Sequence, residues 1–202
     1  MGNLHSVQTC FERLGQPLIA VHQPQDLERC DALVLPGVGA FDPAMQKLHA
    51  SELVPPLQQW HAENRPLLGI CLGLQLLFER SDEGNAEGLG LLKGCVRKLP
   101  NDQNERIPHM GWGQLKRHNA CPLLPDHADE PWVYFVHSYA AVPASEQDLS
   151  ATVSFGHGAA TAMVWNGRTG ACQFHPEKSS IAGSQLLQRW LEWLQHDSTD
   201  RA

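Results

Sequence analysis

The pentapeptide Gly69-Ile70-Cys71-Leu72-Gly73 constrains this chain more than any other feature, because it leaves almost no linker between two different elements. Before it stands the apolar run Leu67-Leu68-Gly69-Ile70, read as a buried strand, and after it residues 72–80 carry apolar side chains at helical spacing. A strand that turns directly into a helix needs a bend too tight for side chains on both flanks, and the two glycines supply it. The pattern is the cysteine form of the G-x-nucleophile-x-G elbow. It places a thiol at a helix N-terminus, where exposed N–H groups favour a thiolate and can hold an oxyanion. The alternative is a small buried hydrophobe between two glycines, a common use of free cysteine.

The flanking sequence predicts an α/β fold. Val7, Cys10, Phe11 and Leu14 recur at helical spacing and Gly15 follows as a stop. A short strand is predicted over 18–21, a small helix over 25–29, and a buried strand over 32–35 ended by Pro36-Gly37. Asp42-Pro43 reads as the cap and first residue of a helix, and Pro55-Pro56 opens another that runs to Asn64. The polar, glycine-rich segment 81–119 offers one strand, at 95–99. Strands follow at 132–136, 151–155, 161–165 and 170–174, several joined by turns short enough for antiparallel pairing, and a helix with one apolar stripe closes the pattern over 185–195.

The length of 202 residues suits one domain, taken here as residues 1–202. The 42% apolar content comes without a run long enough for a membrane span, and no secretory signal pattern is visible. Fifteen basic against twenty-two acidic residues give a net charge of −7 with no Lys/Arg block, which argues against nucleic acid as a partner. Six cysteines without a C-x-x-C pair or a nearby histidine cluster suggest neither a metal site nor disulfides, so a cytoplasmic protein without cofactor is expected.

A cysteine nucleophile needs a base, and the base needs a group that fixes its tautomer. Gln173-Phe174-His175-Pro176-Glu177 places a histidine just past a predicted strand, with a carboxylate two residues on. Pro36-Gly37-Val38-Gly39 also follows a strand, and its glycines let N–H groups face a ligand at the sheet's C-terminal edge, although an ordinary strand-to-helix turn has the same composition. Gln75, one helical turn after Cys71, can reach a bound substrate or be a solvated polar residue.

Taken together, Gly69-Ile-Cys-Leu-Gly-Leu-Gln75 and Phe174-His-Pro-Glu177 resemble the two signatures of class I (triad) glutamine amidotransferases. Met1-Gly-Asn-Leu4, Pro36-Gly-Val-Gly39, Pro108-His-Met-Gly-Trp112, Phe135-Val-His-Ser-Tyr139 and Gln173-Phe-His-Pro-Glu-Lys-Ser179 narrow the resemblance to the family of glutaminase subunits of imidazole glycerol phosphate synthase, over essentially the whole chain. The resemblance implies a flavodoxin-like three-layer sandwich, with a mostly parallel central sheet, helices on both faces and antiparallel strands in the C-terminal half. It implies Cys71 as nucleophile, His175 as general base and acid, and Glu177 as its orienter. It further implies an oxyanion hole from the Gly37-Val38-Gly39 segment and the Leu72 N–H, and glutamine held by Gln75, Ser138 and Tyr139. Asn3, Trp112 and Lys178 match positions facing a (β/α)8-barrel cyclase, the expected heterodimer partner that receives ammonia for histidine biosynthesis. Another class I amidotransferase subunit or a cysteine hydrolase of the same fold are the alternatives. Family members carry a short apolar strand before the Gly-Asn turn, at which this chain starts, so the first strand is expected to be missing. Gly113 and Ala140 also depart from the residues usual in the family.

Overall fold

The structure, a computed structural model, describes residues 2–101 and 106–199, the side chains of 2, 3 and 197–199 excepted. Helix α1 (Gly2–Arg13) is followed by a 3-10 turn at Pro24–Arg29 and strand β1 (Leu33–Gly37). Helices α2 (Phe41–Ala50) and α3 (Val54–Ala62) lead to β2 (Leu67–Cys71), which passes at once into α4 (Leu72–Leu76). The rest is β3 (Gly94–Lys98), β4 (His109–Arg117), β5 (Trp132–His137), β6 (Tyr139–Pro143), β7 (Leu149–Phe155), β8 (Gly158–Asn166), β9 (Thr169–Cys172) and α5 (Ser180–Thr199).

Seven strands form one sheet in the order β1-β2-β9-β8-β7-β4-β5, while β3 and β6 pair separately. The α/β class and layering are as expected, but the sheet is mixed rather than mostly parallel. Only β1–β2 and β2–β9 run parallel; the pairs β9–β8, β8–β7, β7–β4 and β4–β5 are antiparallel. Strand alternation divides the apolar side chains into two cores. Leu68 and Ile70 of β2 pack with Val7 and Phe11 of α1 and Trp190 of α5. Leu67 packs on the other face with Phe41 and Met45 of α2 and Trp60 of α3. At the rate of about 1.5–3 kcal/mol per fully buried large side chain, these two layers hold β2 in place.

Four local expectations are corrected. Residues 18–21 form no strand and pair with none of the strands of the described sheet. Pro36 and Gly37 do not end β1 but continue it, pairing with Ile70 and Cys71. Asp42 does not cap α2, whose preceding residue is Ala40; its carboxylate accepts the Asn85 and Ala86 N–H groups at 3.0 Å each. Helix α4 stops at Leu76 instead of reaching Arg80, because the carbonyls of Leu76, Leu77 and Phe78 accept N–H groups of Leu89, Leu92 and Gly90. Among the described residues no helix is long and apolar enough to cross a membrane.

Candidate active site

Cys71 ends β2 and precedes the first residue of α4 with φ 56° and ψ −110°, a conformation that costs a non-glycine residue about 1–3 kcal/mol. The surroundings impose it. A methyl group on Gly73 would land on the Leu35 carbonyl oxygen of β1, and one on Gly69 would meet the Gly73 backbone and Ala171 Cβ at 3.0 Å. Helix α4 therefore lies directly on the parallel strands, and its N-terminus stands where the sulfur emerges. Cys71 is 8% exposed.

Past β9 the chain continues through Gln173 and Phe174 to His175, whose Nδ1 lies 2.8 Å from Glu177 Oε1. The imidazole is also hydrogen-bonded to Cys71. The loop is fastened by its backbone: the His175 N–H donates to Tyr134 O at 2.9 Å, and Ser179 Oγ donates to His175 O at 2.7 Å while accepting the Tyr134 N–H at 2.9 Å. Burial pulls the His175 pKa down, but hydrogen bonds to Cys71 and Glu177 and the charges of both outweigh it and push the value up to about 9. At neutral pH the ring is thus an imidazolium between two acidic groups. A fully buried Glu177 carboxylate, fixed by Oε1, is its counterion.

Cys71 and His175 open onto a cleft of about 360 Å3. Of the residues singled out in the sequence, Val38, Gly39, Leu72, Gln75, Ser138 and Tyr139 line this cleft. Gly37 stands level with Cys71 in the β1–β2 ladder. Trp112 and Lys178 lie elsewhere: Trp112 is 51% exposed on β4, edge-on to Tyr134, and Lys178 is exposed in the turn after Glu177. The side chain of Asn3 is outside the described residues. A larger cavity of about 750 Å3 between α1 and α5 touches Glu177 but not Cys71 or His175, so the smaller cleft is where chemistry at the sulfur would occur.

A model of the class-I glutamine amidotransferase family matches residues 2–192. The chain belongs to that family. It is 65% identical, over 96% of its length and 92% of the relative's, to imidazole glycerol phosphate synthase subunit HisH 2 of Prochlorococcus marinus strain MIT 9313. It is 63% identical to the HisH subunit of Synechococcus sp. strain CC9605, covering 97% of this chain and 92% of that one. Among solved structures, a glutamine amidotransferase superposes with a TM-score of 0.75 at 19% identity, covering 96% of this chain and 95% of that chain. Thermotoga maritima PurLQS gives 0.68 at 18%, covering 94% and 92%. These distant likenesses speak for the fold.

Five residues of this amidotransferase's cleft region were not singled out in the sequence: Glu83, Pro108, Val136, His137 and Gln173. Pro108, Val136, His137 and Gln173 stand inside motifs quoted for the resemblance, so their positions were flagged without a role. Glu83 had no signal, lying in the segment read as an irregular loop. Its Oε2 accepts the Phe41 N–H at the start of α2 at 2.8 Å.

His137 is buried, with Nδ1 2.8 Å from Tyr139 O and Nε2 3.1 Å from His109 Nδ1. A carbonyl only accepts, so Nδ1 carries the proton and Nε2 accepts from His109. Burial, with smaller contributions from the His109 and His175 charges, lowers its pKa to about 4 against the raising effect of the Tyr139 carbonyl. Between about pH 6.5 and 4 the unfolded chain binds a proton that the folded one refuses. The stability due to neutral His137 is therefore complete above 6.5 and lost as pH falls through this window, by about 3 kcal/mol in all. Urea melts from pH 7 to 4.5 are expected to show a shallower decline in His137→Gln than in the wild type. Parallel declines would refute this assignment.

Proposed function

We propose that the chain is the glutaminase subunit of imidazole glycerol phosphate synthase, which hydrolyses the glutamine side-chain amide and passes ammonia to a cyclase subunit for histidine biosynthesis. One observation carries the chemistry: the strained Cys71 is hydrogen-bonded to an imidazole whose far nitrogen lies 2.8 Å from a buried carboxylate, at a cleft of amino-acid size. The 65% identity to a HisH subunit over nearly both chains supports the pathway.

In this reading the Cys71 sulfur attacks the amide carbon as a thiolate. The carbonyl oxygen becomes an oxyanion, held by N–H groups of Leu72 and of the Gly37-Val38-Gly39 segment. The His175 imidazolium gives its proton to the departing nitrogen, the C–N bond breaks, and a glutamyl thioester and ammonia result. His175, now neutral, takes a proton from water, whose hydroxide displaces the thiolate to leave glutamate. Glu177 keeps the catalytic nitrogen facing the sulfur throughout. Gln75, Ser138 and Tyr139 line the cleft where the amino-acid end of glutamine would sit, and the Glu83 carboxylate adds negative charge suited to its α-ammonium group. No cofactor is needed for these steps.

For the partner, Met110 and Trp112 of β4 and Trp132 of β5 are 63%, 51% and 56% exposed, an apolar surface of the kind protein interfaces cover. A (β/α)8 cyclase bound there as a heterodimer, with Asn3, Trp112 and Lys178 at the contact, would receive ammonia directly. The test is glutamate release from glutamine by the purified chain, alone and with a cyclase subunit of the same pathway. Release of glutamate that rises on adding the cyclase is expected. No release under either condition would sink the reading.

A further inference from the structure

Gln173 precedes Phe174-His175 and is completely buried, yet the steps above give it no task. Its Nε2 is 3.9 Å from Cys71 Sγ, and its Oε1 is 3.1 Å from Gln75 Nε2. The same Gln75 nitrogen lies 3.1 Å from the Tyr139 carbonyl oxygen. The two ends of a side-chain amide are alike in shape, and here the chain of partners decides which is which. Tyr139 O can only accept, so the Gln75 atom facing it is the NH2 group. That NH2 has a second hydrogen, so the Gln173 atom facing it is the oxygen. The opposite end of the Gln173 amide, the end at the sulfur, must then be a donor. His137 adds to the same carbonyl from the other side through its Nδ1–H at 2.8 Å. A fixed backbone carbonyl thus dictates, through two side-chain amides, that an N–H points at the nucleophile.

We propose that Gln173 is a further catalytic residue, whose side-chain N–H holds the Cys71 sulfur in its thiolate form and aims it into the cleft. An N–H···S contact of 3.9 Å is long for a neutral thiol and tightens when the sulfur carries charge, because charge-assisted hydrogen bonds are shorter and stronger. The donor therefore favours the anion over the thiol, which is the requirement for nucleophilic activation. It reaches the sulfur from the segment that leaves β9, two residues before His175. When the sulfur adds to the amide carbon and the charge moves to the carbonyl oxygen, this bond weakens. When water regenerates the thiolate, it strengthens again and assists the sulfur as leaving group.

Other ionisable groups near the sulfur do not duplicate this role. His175 is the proton donor already described. Burial, then the charges of Glu177 and Cys71, hold the Cys172 thiol of β9 protonated well above the ordinary range. Glu83 and His137 line the cleft, and neither is hydrogen-bonded to Cys71.

The proposal rests on Cys71 being the nucleophile, and its principal test needs no glutamine. The rate of carboxamidomethylation at Cys71 by iodoacetamide is measured from pH 5 to 10, with the site resolved from the other five cysteines by peptide mass spectrometry. In Gln173→Glu a carboxylate oxygen faces the sulfur, and the midpoint of the rate profile is expected to rise by about 1 unit or more, with at least a tenfold lower rate at neutral pH. In Gln173→Met, which fills the space without a donor, a smaller rise is expected, and kcat for glutamate release should fall more than KM changes. A midpoint unmoved in either variant, with melting temperature and near-UV circular dichroism retained, overturns the proposal. The wild type gives a check without substitution: the Gln173 side-chain amide proton signals should shift with pH at the midpoint of Cys71 alkylation, and signals that do not move overturn it too. Failure here leaves glutamate release intact, whereas failure of the glutaminase reading leaves the alkylation profile intact.

Discussion

Cys71→Ala is expected to leave no measurable glutamate release, a loss of about a million-fold if the three residues act as one unit. No other thiol can substitute, since the buried Cys172 is held protonated and its sulfur donates toward the Phe174 carbonyl at 3.6 Å. Glu177→Gln grades the effect. Glu177 Oε1 accepts from His175 Nδ1 at 2.8 Å, which leaves Nε2 for the sulfur. A glutamine amide can present N–H instead, driving the ring proton to Nε2 and removing the base from the thiol. A loss of roughly a thousand- to ten-thousand-fold is expected. The pH profile should change as well. Protonated His175 is needed to release ammonia, so wild-type kcat/KM is expected to fall as pH rises through about 9. The Glu177 hydrogen bond and charge help to hold that proton, so in Glu177→Gln the alkaline limb should move to lower pH. Rate profiles from pH 6 to 10 measure both, and an alkaline limb that stays put would contradict the assigned role.

Gly73→Ala is expected to have the largest effect on folding. The added methyl meets the Leu35 carbonyl oxygen, a backbone atom within the β1–β2 ladder, so no side-chain rotation relieves the clash. Either β1 leaves β2 or α4 lifts away, and Cys71 loses its position in both cases. A loss of about 3 kcal/mol or more is expected, near 10 °C in melting temperature for a chain of this size, if the protein is recovered folded at all. Gly90→Ala is the matched control. Gly90 has φ +64° but nothing within 4 Å of the added atom, so only the backbone strain of about 1 kcal/mol should appear. Similar melting temperatures for the two variants would show that the elbow tolerates the methyl.

The site was legible in the sequence where covalent proximity made it so. Cys71 is fixed by a strand and a helix that share its peptide units, and His175 and Glu177 are two residues apart on one turn. The surrounding support was not legible, because it is made between segments far apart in the chain. Gln173 gains meaning only from Gln75 and Tyr139, and His137 only from His109. The fold shows the same division. The run 67–70 reads as a strand because both of its faces are apolar. Strand β4 escaped notice because Gly111, Gly113 and its charged residues blur the alternation. Gly113 is small for a reason found only in three dimensions: a methyl there would meet Val153 Cγ2 of β7 at 2.5 Å. Residues 18–21 show the converse, since an apolar stretch by itself does not make a strand and these residues join no described sheet.

In the sheet order β5 is last and β9 third, yet the segment leaving β9 donates the His175 N–H to β5 at Tyr134, with Phe135 and Phe174 edge-on at 5.7 Å. The sheet must therefore curl until its far margin returns toward its middle. Sulfur and imidazole thus leave neighbouring strands, β2 and β9, while the ring's own backbone is pinned a second time to the returning margin. A slight unrolling of the sheet would pull on the ring through that second tie and leave the sulfur's seat on β2 untouched.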